Sequence, residues 1–225
     1  MKNIAIIVAA GSGQRLGRDI PKALLEIGGI PIVVRTAKRL SDCELISNLI
    51  VVFAPNYYED FSIVFDKYNI NADLVEGGKT RTESVLHGIA ATDENCDIVA
   101  IHDGARPFVT IESLEKVIQK AEETGAATLA VPLTDTLKLV ENHFIVETVD
   151  RDKFYAVQTP QVFQRDLLLS AIEKIEQGNS FSDDCALMEL IGQKVSIVES
   201  NRINIKITYP EDLIIAEAIM EKIDR

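Results

Sequence analysis

Short, unbroken apolar runs separated by helix-length stretches constrain the fold of this chain more than any other feature. Ile4–Ala10, Leu49–Ala54 (LIVVFA) and Ala126–Val131 (AATLAV) are such runs of six or seven residues, and Ala72–Glu76 and Asp97–Ile101 (DIVAI) are five-residue strand candidates that include acidic residues. Runs of this kind, without polar alternation, mark strands covered on both faces, and such strands belong to parallel sheets. Between them the sequence predicts helices. One covers Pro31 to Leu40, with proline at the favoured first turn; another runs to Tyr68 behind an Asn56/Glu59 capping pair. A third is opened by Gly77-Gly78-Lys79-Thr80-Arg81 and runs to Ala91, and a fourth is capped by Thr110 and stopped by Gly125. The alternation gives an α/β fold with an open, doubly wound, mostly parallel sheet, in which ligands sit beyond the carboxyl ends of the strands.

The 225 residues fit one domain spanning 1–225. No apolar run approaches the ~18 residues needed to cross a membrane, and the N-terminus lacks signal-peptide grammar, so the expectation is a cytoplasmic protein. Cys43, Cys96 and Cys185 are odd in number, far apart and without a Cys-x-x-Cys pair, which suggests neither a disulfide framework nor a structural zinc site. A net charge of −12 argues against a nucleic-acid partner. Within residues 1–39, however, seven basic residues face two acidic ones. A small basic region on an acidic protein suits a compact polyanion.

Residues 133–156 break the alternation. Thr136–Val140 and Phe144–Val149 flank the polar turn Glu141-Asn142-His143, which is hairpin grammar. Such an inserted β-hairpin arm is covered either by a partner subunit or by folding back on its own domain. Further on come Tyr155–Phe163, a helix expected over Asp166–Gln177 and ended by Gly178, a polar stretch Ser180–Asp184 leading into another helix, and a strand at Val195–Val198. In Ile203–Thr208 the isoleucines share one face of an extended segment, while Asn204, Lys206 and Thr208 share the other. Thr208-Tyr209-Pro210-Glu211 reads as a capping box opening a last helix.

Candidate chemistry gathers at the predicted strand ends. The loop from Gly11 to Lys22 carries three glycines with Arg15, Arg18 and Lys22, and reads either as an anion-binding loop or as a glycine-rich turn with solvated charges. Gly77-Gly78 before a helix start with Lys79 and Arg81 is a second candidate anion site. A dinucleotide fingerprint fails, because Leu16 stands where its third glycine belongs and Ala54-Pro55 where its acidic residue belongs; a Walker A pattern fails for want of Gly-Lys-Ser/Thr. His87, His102 and His143 have no ligand spacing and read as structural. What remains is metal-assisted chemistry at a phosphate, for which Asp103 is the candidate magnesium ligand, the alternative being a hydrogen bond to its own turn.

These residues carry a resemblance. Ala9-Ala10-Gly11-Ser12-Gly13-Gln14-Arg15-Leu16 with Pro21-Lys22, Gly77-Gly78 with Arg81 and Ser84, and His102-Asp103-Gly104-Ala105-Arg106-Pro107 stand in a recognisable order. Asp135-Thr136, Val149-Asp150-Arg151, Gln158-Thr159-Pro160-Gln161 and Asn204-Ile205-Lys206 continue it. Over nearly its whole length the chain resembles the methylerythritol phosphate cytidylyltransferases of the non-mevalonate isoprenoid pathway, which have a Rossmann-like nucleotidyltransferase fold. The resemblance implies that CTP reacts with 2-C-methyl-D-erythritol 4-phosphate, with magnesium on the triphosphate. It implies transition-state roles for Arg15 and Lys22, and an acceptor-phosphate site at Arg151 and Lys206 supported by Arg106, Thr136 and Thr159. Ala9, Ala10, Gly11, Ser12, Gly13, Gly78, Arg81, Ser84, Gly104 and Ala105 would line the nucleotide site, with Asp103 near the metal. It further implies a homodimer whose arm delivers Arg151 to the neighbouring site. Three places depart from the pattern: Ala23 replaces a glutamine, Lys79 an acidic residue, and Ser182-Asp183-Asp184-Cys185-Ala186 the common Thr-Asp-Asp-Ala-Ser. Competing expectations are a ribitol 5-phosphate cytidylyltransferase and a non-catalytic nucleotide-binding sensor on the same fold.

Overall fold

A computed structural model describes residues 1–11, 13, 20–175 and 181–223. Arg15, Ser12, Arg18 and Gly178, all singled out from the sequence, lie outside these described residues. In chain order the elements are β1 (Asn3–Val8), β2 (Glu26–Ile27), β3 (Ile30–Pro31), α1 (Ile32–Ser41), β4 (Asn48–Phe53), α2 (Tyr58–Lys67), β5 (Asp73–Glu76), α3 (Arg81–Ala90), β6 (Ile98–Asp103), α4 (Ile111–Thr124) and β7 (Ala126–Pro132). They continue with β8 (Leu137–Glu141), β9 (Phe144–Val149), β10 (Tyr155–Gln164), α5 (Arg165–Ile172), α6 (Cys185–Leu190), β11 (Ser196–Glu199) and α7 (Pro210–Ile223).

The described strands build a seven-stranded sheet in the order β11-β7-β10-β6-β1-β4-β5. β1 lies between β4 and β6, parallel to both. The chain therefore winds outward from β1 in one direction through β4 and β5, then crosses to β6 on the other side, which makes the β1/β6 boundary a topological switch point. β1 shows why the strands are apolar throughout. Ala5 and Ile7 pack with α1, α2 and α4 residues such as Val34, Phe61 and Leu114, while Ile4 and Ile6 pack with Val85 and Ile89 of α3 and Leu168 of α5.

β10 departs from the simple winding: it runs antiparallel to both β6 and β7, and its register shifts between Val157 and Gln161. The intervening residues carry buried polar side chains, Gln158 and Thr159, behind the end of β6. β8 and β9 form a separate two-stranded sheet, with Asn142 and His143 at φ 49° and 67° in the tight turn that suits a hairpin. The arm pairs with itself, not with the seven-stranded sheet. Leu139, Val140, Phe144, Ile145 and Val146 are exposed, Phe144 at 76%.

Several local expectations are corrected. Asn56 does not cap α2; it adopts φ 68°, and the helix starts two residues later without a side-chain cap. α5 closes at Ile172, five residues short of Gln177. Residues Ile203–Thr208 form no strand: Asn204 is fully buried while Ile203 is exposed, because Asn204 Nδ2 donates to Gln158 Oε1 and to the Thr159 carbonyl. α7 does begin with Pro210, yet its cap is Asp212, whose Oδ2 accepts from the Thr208 and Tyr209 N–H groups.

The end of β6 is tied to β10 through His102, which is fully buried. Its Nε2 lies 3.0 Å from the Arg106 carbonyl, which can only accept, so Nε2 carries the proton. Nδ1 is then an acceptor for the Thr159 hydroxyl at 3.1 Å, and that hydroxyl accepts the Asp103 N–H at 3.0 Å. Burial pushes His102 down from 6.5 to about 4, against the favourable pull of the Arg106 carbonyl and Asp103. Stability linked to this neutral histidine is complete above about pH 6.5 and is lost as pH falls toward 4, because the unfolded chain takes up the proton first. Through this group the unfolding free energy should fall by about 3 kcal/mol across that window. His102→Gln should flatten the profile there; equal pH slopes in denaturant titrations of the two proteins would contradict the assignment.

Candidate functional site

The carboxyl ends of β1, β5 and β6 open onto a cleft of about 370 Å³. Ala9, Ala10 and Gly11 line it after β1, Gly78–Arg81 and Ser84 line it at the start of α3, and Asp103 and Ala105 line it after β6. Lys22, Ala23 and Lys206 complete the lining with Val8. The three glycine-rich or charged segments singled out in the sequence thus converge on one edge.

The loops lie flush on one another. The Ala9 N–H donates to the Val52 carbonyl at 2.8 Å and the Gly104 N–H to the Val8 carbonyl at 2.9 Å. A Cβ at Gly77 would stand 2.6 Å from Ala10 Cβ, so only glycine lets the β5–α3 connection reach the β1 loop. Gly13 adopts φ 72°, and a Cβ there would stand 2.9 Å from the Lys22 backbone nitrogen. Lys22 belongs to a 3-10 turn, Lys22–Leu24, and its Nζ donates to the Ile207 carbonyl at 3.0 Å. That bond ties the glycine loop to the segment carrying Lys206. Ala23, the middle residue of this turn, is buried and packs in the core cluster with α1 residues at the floor of the cleft.

At the start of α3 the expected anion-binding N–H groups are partly engaged. Thr80 caps the helix, its hydroxyl accepting from Glu83 N–H, and the Glu83 carboxylate accepts the Lys79 N–H at 2.6 Å. Ser84 Oγ accepts from Gly78 N–H and donates to the Thr80 carbonyl. This local order presents Arg81 and the Gly78 backbone to the cleft.

Asp103 is the electrostatic centre. Lys206 Nζ stands 2.8 Å from its Oδ2, Arg106 Nε 3.5 Å from the same oxygen, and Arg81 Nε 3.5 Å from Oδ1. Burial alone would raise this carboxyl, but the charges of Lys206 and Arg81, with Arg106 behind them, hold it well below the usual carboxylate range. The alternative of a hydrogen bond to its own turn is realised only in part, through Arg106. Arg81 gives its two terminal nitrogens to Asp184, at 2.8 and 2.7 Å. Burial disfavours the Arg81 charge, but the Asp184 and Asp103 carboxylates outweigh it and raise the guanidinium above its ordinary value.

Other residues named from the sequence sit elsewhere. Thr159 and Gly104 lie behind Asp103, holding the end of β6. Arg106 donates to the Asn204 carbonyl at 2.8 Å and supports Asp103 from outside the cleft lining. Thr136 is exposed at the base of the arm. Arg151 is exposed on the short 3-10 turn Arg151–Lys153 and donates to the Thr134 carbonyl, away from its own chain's cleft. Lys206 is not on a strand, and it reaches the cleft from an irregular segment fixed by buried Asn204. Asp184 and Gln161 received no role from the sequence, although the Ser182-Asp183-Asp184 stretch and the Gln158–Gln161 stretch each stood out there. Among the described residues no group of three His, Cys, Asp or Glu side chains could hold a metal. An always-ionised Asp103 in the cleft nevertheless fits magnesium, which takes one or two carboxylates and fills its remaining positions with phosphate oxygens and water.

This arrangement can neutralise a polyanion and position it over glycine-lined backbone. The comparisons with known proteins agree. The model of the family described as 2-C-methyl-D-erythritol 4-phosphate cytidylyltransferase matches residues 3–222. A protein of that name from Carboxydothermus hydrogenoformans is 40% identical over 226 residues, covering 99% of this chain and 97% of its own. One from Clostridium botulinum is 41% identical, covering 99% of each. The crystal structure of 4-diphosphocytidyl-2C-methyl-D-erythritol synthase from Anaerococcus prevotii superposes with a TM-score of 0.87 at 32% identity, covering 98% of this chain and 96% of that one. The chain belongs to the 2-C-methyl-D-erythritol 4-phosphate cytidylyltransferase family.

Proposed function

We propose that this protein transfers the cytidylyl group of CTP to 2-C-methyl-D-erythritol 4-phosphate, releasing pyrophosphate. The observation that carries the reading is the convergence of Lys22, Arg81, Lys206 and Asp103 on one glycine-lined cleft of a chain with this family membership. An oxygen of the acceptor phosphate forms a bond to the α-phosphorus of CTP as the bond from that phosphorus to the bridging oxygen of the β-phosphate breaks. Such a displacement asks the protein for positioning and charge neutralisation, not for covalent chemistry. The backbone at Ala9–Gly11, Gly78 and Ala105, with Ser84, holds the nucleotide. Lys22 and Arg15 stabilise the charge that grows on the transferring phosphoryl group. Lys206 and Arg151 align the acceptor phosphate, with Thr136, Thr159 and Arg106 supporting that side. Asp103 would hold magnesium, whose bound charge offsets that of the triphosphate.

Residues 1–225 are read as one domain with a dimerisation arm at about 133–156, and the working form as a homodimer. What supports this is the apolar surface that the arm exposes, at Val140, Phe144, Ile145 and Val146, together with Arg151 lying away from its own cleft. A partner's arm would cover that surface and bring Arg151 to the neighbouring acceptor site. The reaction is placed in the cytoplasm, where the three buried thiols stay reduced; no described helix is long and apolar enough to cross a membrane.

Pyrophosphate release in the presence of CTP and magnesium tests the activity. Turnover is expected with methylerythritol phosphate and not with ribitol 5-phosphate. Turnover with ribitol 5-phosphate alone would overturn the acceptor assignment, and none with either would favour a nucleotide sensor. Lys22→Ala should lower kcat by ~100-fold, as loss of a transition-state donor does. Mixing it with Arg151→Ala subunits should restore on the order of a quarter of wild-type activity, since each mixed dimer regains one intact site. No recovery after demonstrated subunit exchange would contradict the shared site.

A further inference from the structure

Arg81 occupies an electrostatically adverse place. It is the first helical residue of α3, where the helix dipole disfavours a cation, and its side chain is only 27% exposed. Two carboxylates lie within reach and they are used unequally. Asp184 takes both terminal nitrogens at 2.8 and 2.7 Å, in the fork geometry that arginine makes best, whereas Asp103 stands 3.5 Å from Nε.

The surroundings of Asp184 reserve it for this contact. It stands at the N-cap of α6, yet its carboxylate makes no capping bond. The capping work falls to its neighbours: Asp183 Oδ1 accepts the Ala186 N–H at 3.3 Å, and Gln161 Oε1 accepts the N–H groups of Asp184 and Cys185 at 2.7 and 3.1 Å. Gln161 Nε2 in turn donates to Asp183 Oδ2 at 3.0 Å. Gln161 belongs to β10, paired with Ile101 of β6, two residues from Asp103. A rigid frame thus delivers one buried carboxylate to one guanidinium.

We propose that Asp184 is a positioning residue for the nucleotide site, holding Arg81 in the cleft at a fixed offset from Asp103 and preventing it from closing on that carboxylate. Without Asp184, the nearest counter-charge for Arg81 is Asp103. The guanidinium then moves from its 3.5 Å offset to pair fully with Oδ1, the oxygen that Lys206 and Arg106 do not use, and is no longer held where a ligand phosphate can reach it. CTP binding suffers in consequence, while Lys22, which acts on the transferring phosphoryl, and Lys206, which aligns the acceptor phosphate, stay in place. The inference rests on the reading of the cleft as the CTP site.

Its test is a double-mutant cycle on CTP affinity, measured by calorimetry with magnesium and no acceptor, with melting temperature recorded for each protein. Asp184→Asn keeps the side-chain shape and removes no helix cap. It is expected to weaken CTP binding about tenfold or more, and to raise KM for CTP while kcat stays within about threefold. In an Arg81→Met background the same substitution should change affinity by no more than about twofold, because the residue it acts through is gone. An undiminished loss in that background would assign Asp184 a general structural role and overturn the proposal, as would unchanged CTP affinity of folded Asp184→Asn. Should Asp184→Asn not fold, Asp184→Glu decides: it retains the charge but displaces the carboxylate, so positioning predicts weakened CTP binding and wild-type affinity contradicts it. A wild-type protein that binds no CTP would instead overturn the reading of the cleft itself.

Discussion

Asp103 is a buried carboxylate at the end of β6, and three cations are drawn to it, two of them from distant parts of the chain. Lys206 comes from the segment before α7, Arg81 from the start of α3, and Arg106 from the turn after β6. Taking such a charge out of water costs several kcal/mol unless partners and hydrogen bonds replace the lost solvation. Here the replacement is collective, so the position of each segment depends on the others. The fold and the site are coupled through this one group: the same contacts that make burial of Asp103 tolerable set the charge of the cleft.

The sheet topology explains why these contacts meet. The switch point between β1 and β6 leaves a crevice at their carboxyl ends, and β5 adds the start of α3 on one side. The antiparallel β10 adds the other side. Its irregular stretch between Val157 and Gln161 inserts polar groups behind β6: Thr159 fixes the Asp103 backbone and His102, Gln158 anchors Asn204, and Gln161 holds the turn of Asp183 and Asp184. Lys206 therefore reaches the cleft, and Asp184 reaches Arg81 at its edge, from irregular segments with the fixity of core residues. Lys22, through the Ile207 carbonyl, joins the glycine loop to the same frame.

Much of the core could be read from the sequence, because doubly covered strands such as Leu49–Ala54 and Ala126–Val131 have no polar face to disguise them. β10 could not be read in the same way. Its buried Gln158, Thr159 and Gln161 and its Pro160 carry the composition of a loop, and their burial makes sense only beside His102, Asn204 and Asp184. The alternation in Ile203–Thr208 misled for the same reason, since hydrogen bonds to β10, not strand pairing, decide which residues are buried. α5 ended early although Ile175 continues the apolar pattern past its end at Ile172. At the site, glycines and charges at strand ends identified Gly11, Lys22, Gly78, Arg81 and Asp103, Lys206 stood out as a lysine on one face of an expected extended segment, and Ala9 and Ala10 came from resemblance. Asp184 escaped notice because an aspartate within Ser180–Asp184 reads as a solvated turn; its partner lies 103 positions away. Arg151 and Thr136 came from resemblance alone, and within one chain they stay away from the cleft.

The central claim is that Asp103 organises the cationic cleft for chemistry at phosphate and is not merely a structural ion-pair partner. Pyrophosphate release by Asp103→Asn, with melting curves showing that the variant is folded, tests it most directly. A fall in kcat of ~100-fold or more at saturating CTP is expected, since charge placement at the reacting phosphate would be lost. Turnover within threefold of wild type in the folded variant would contradict it.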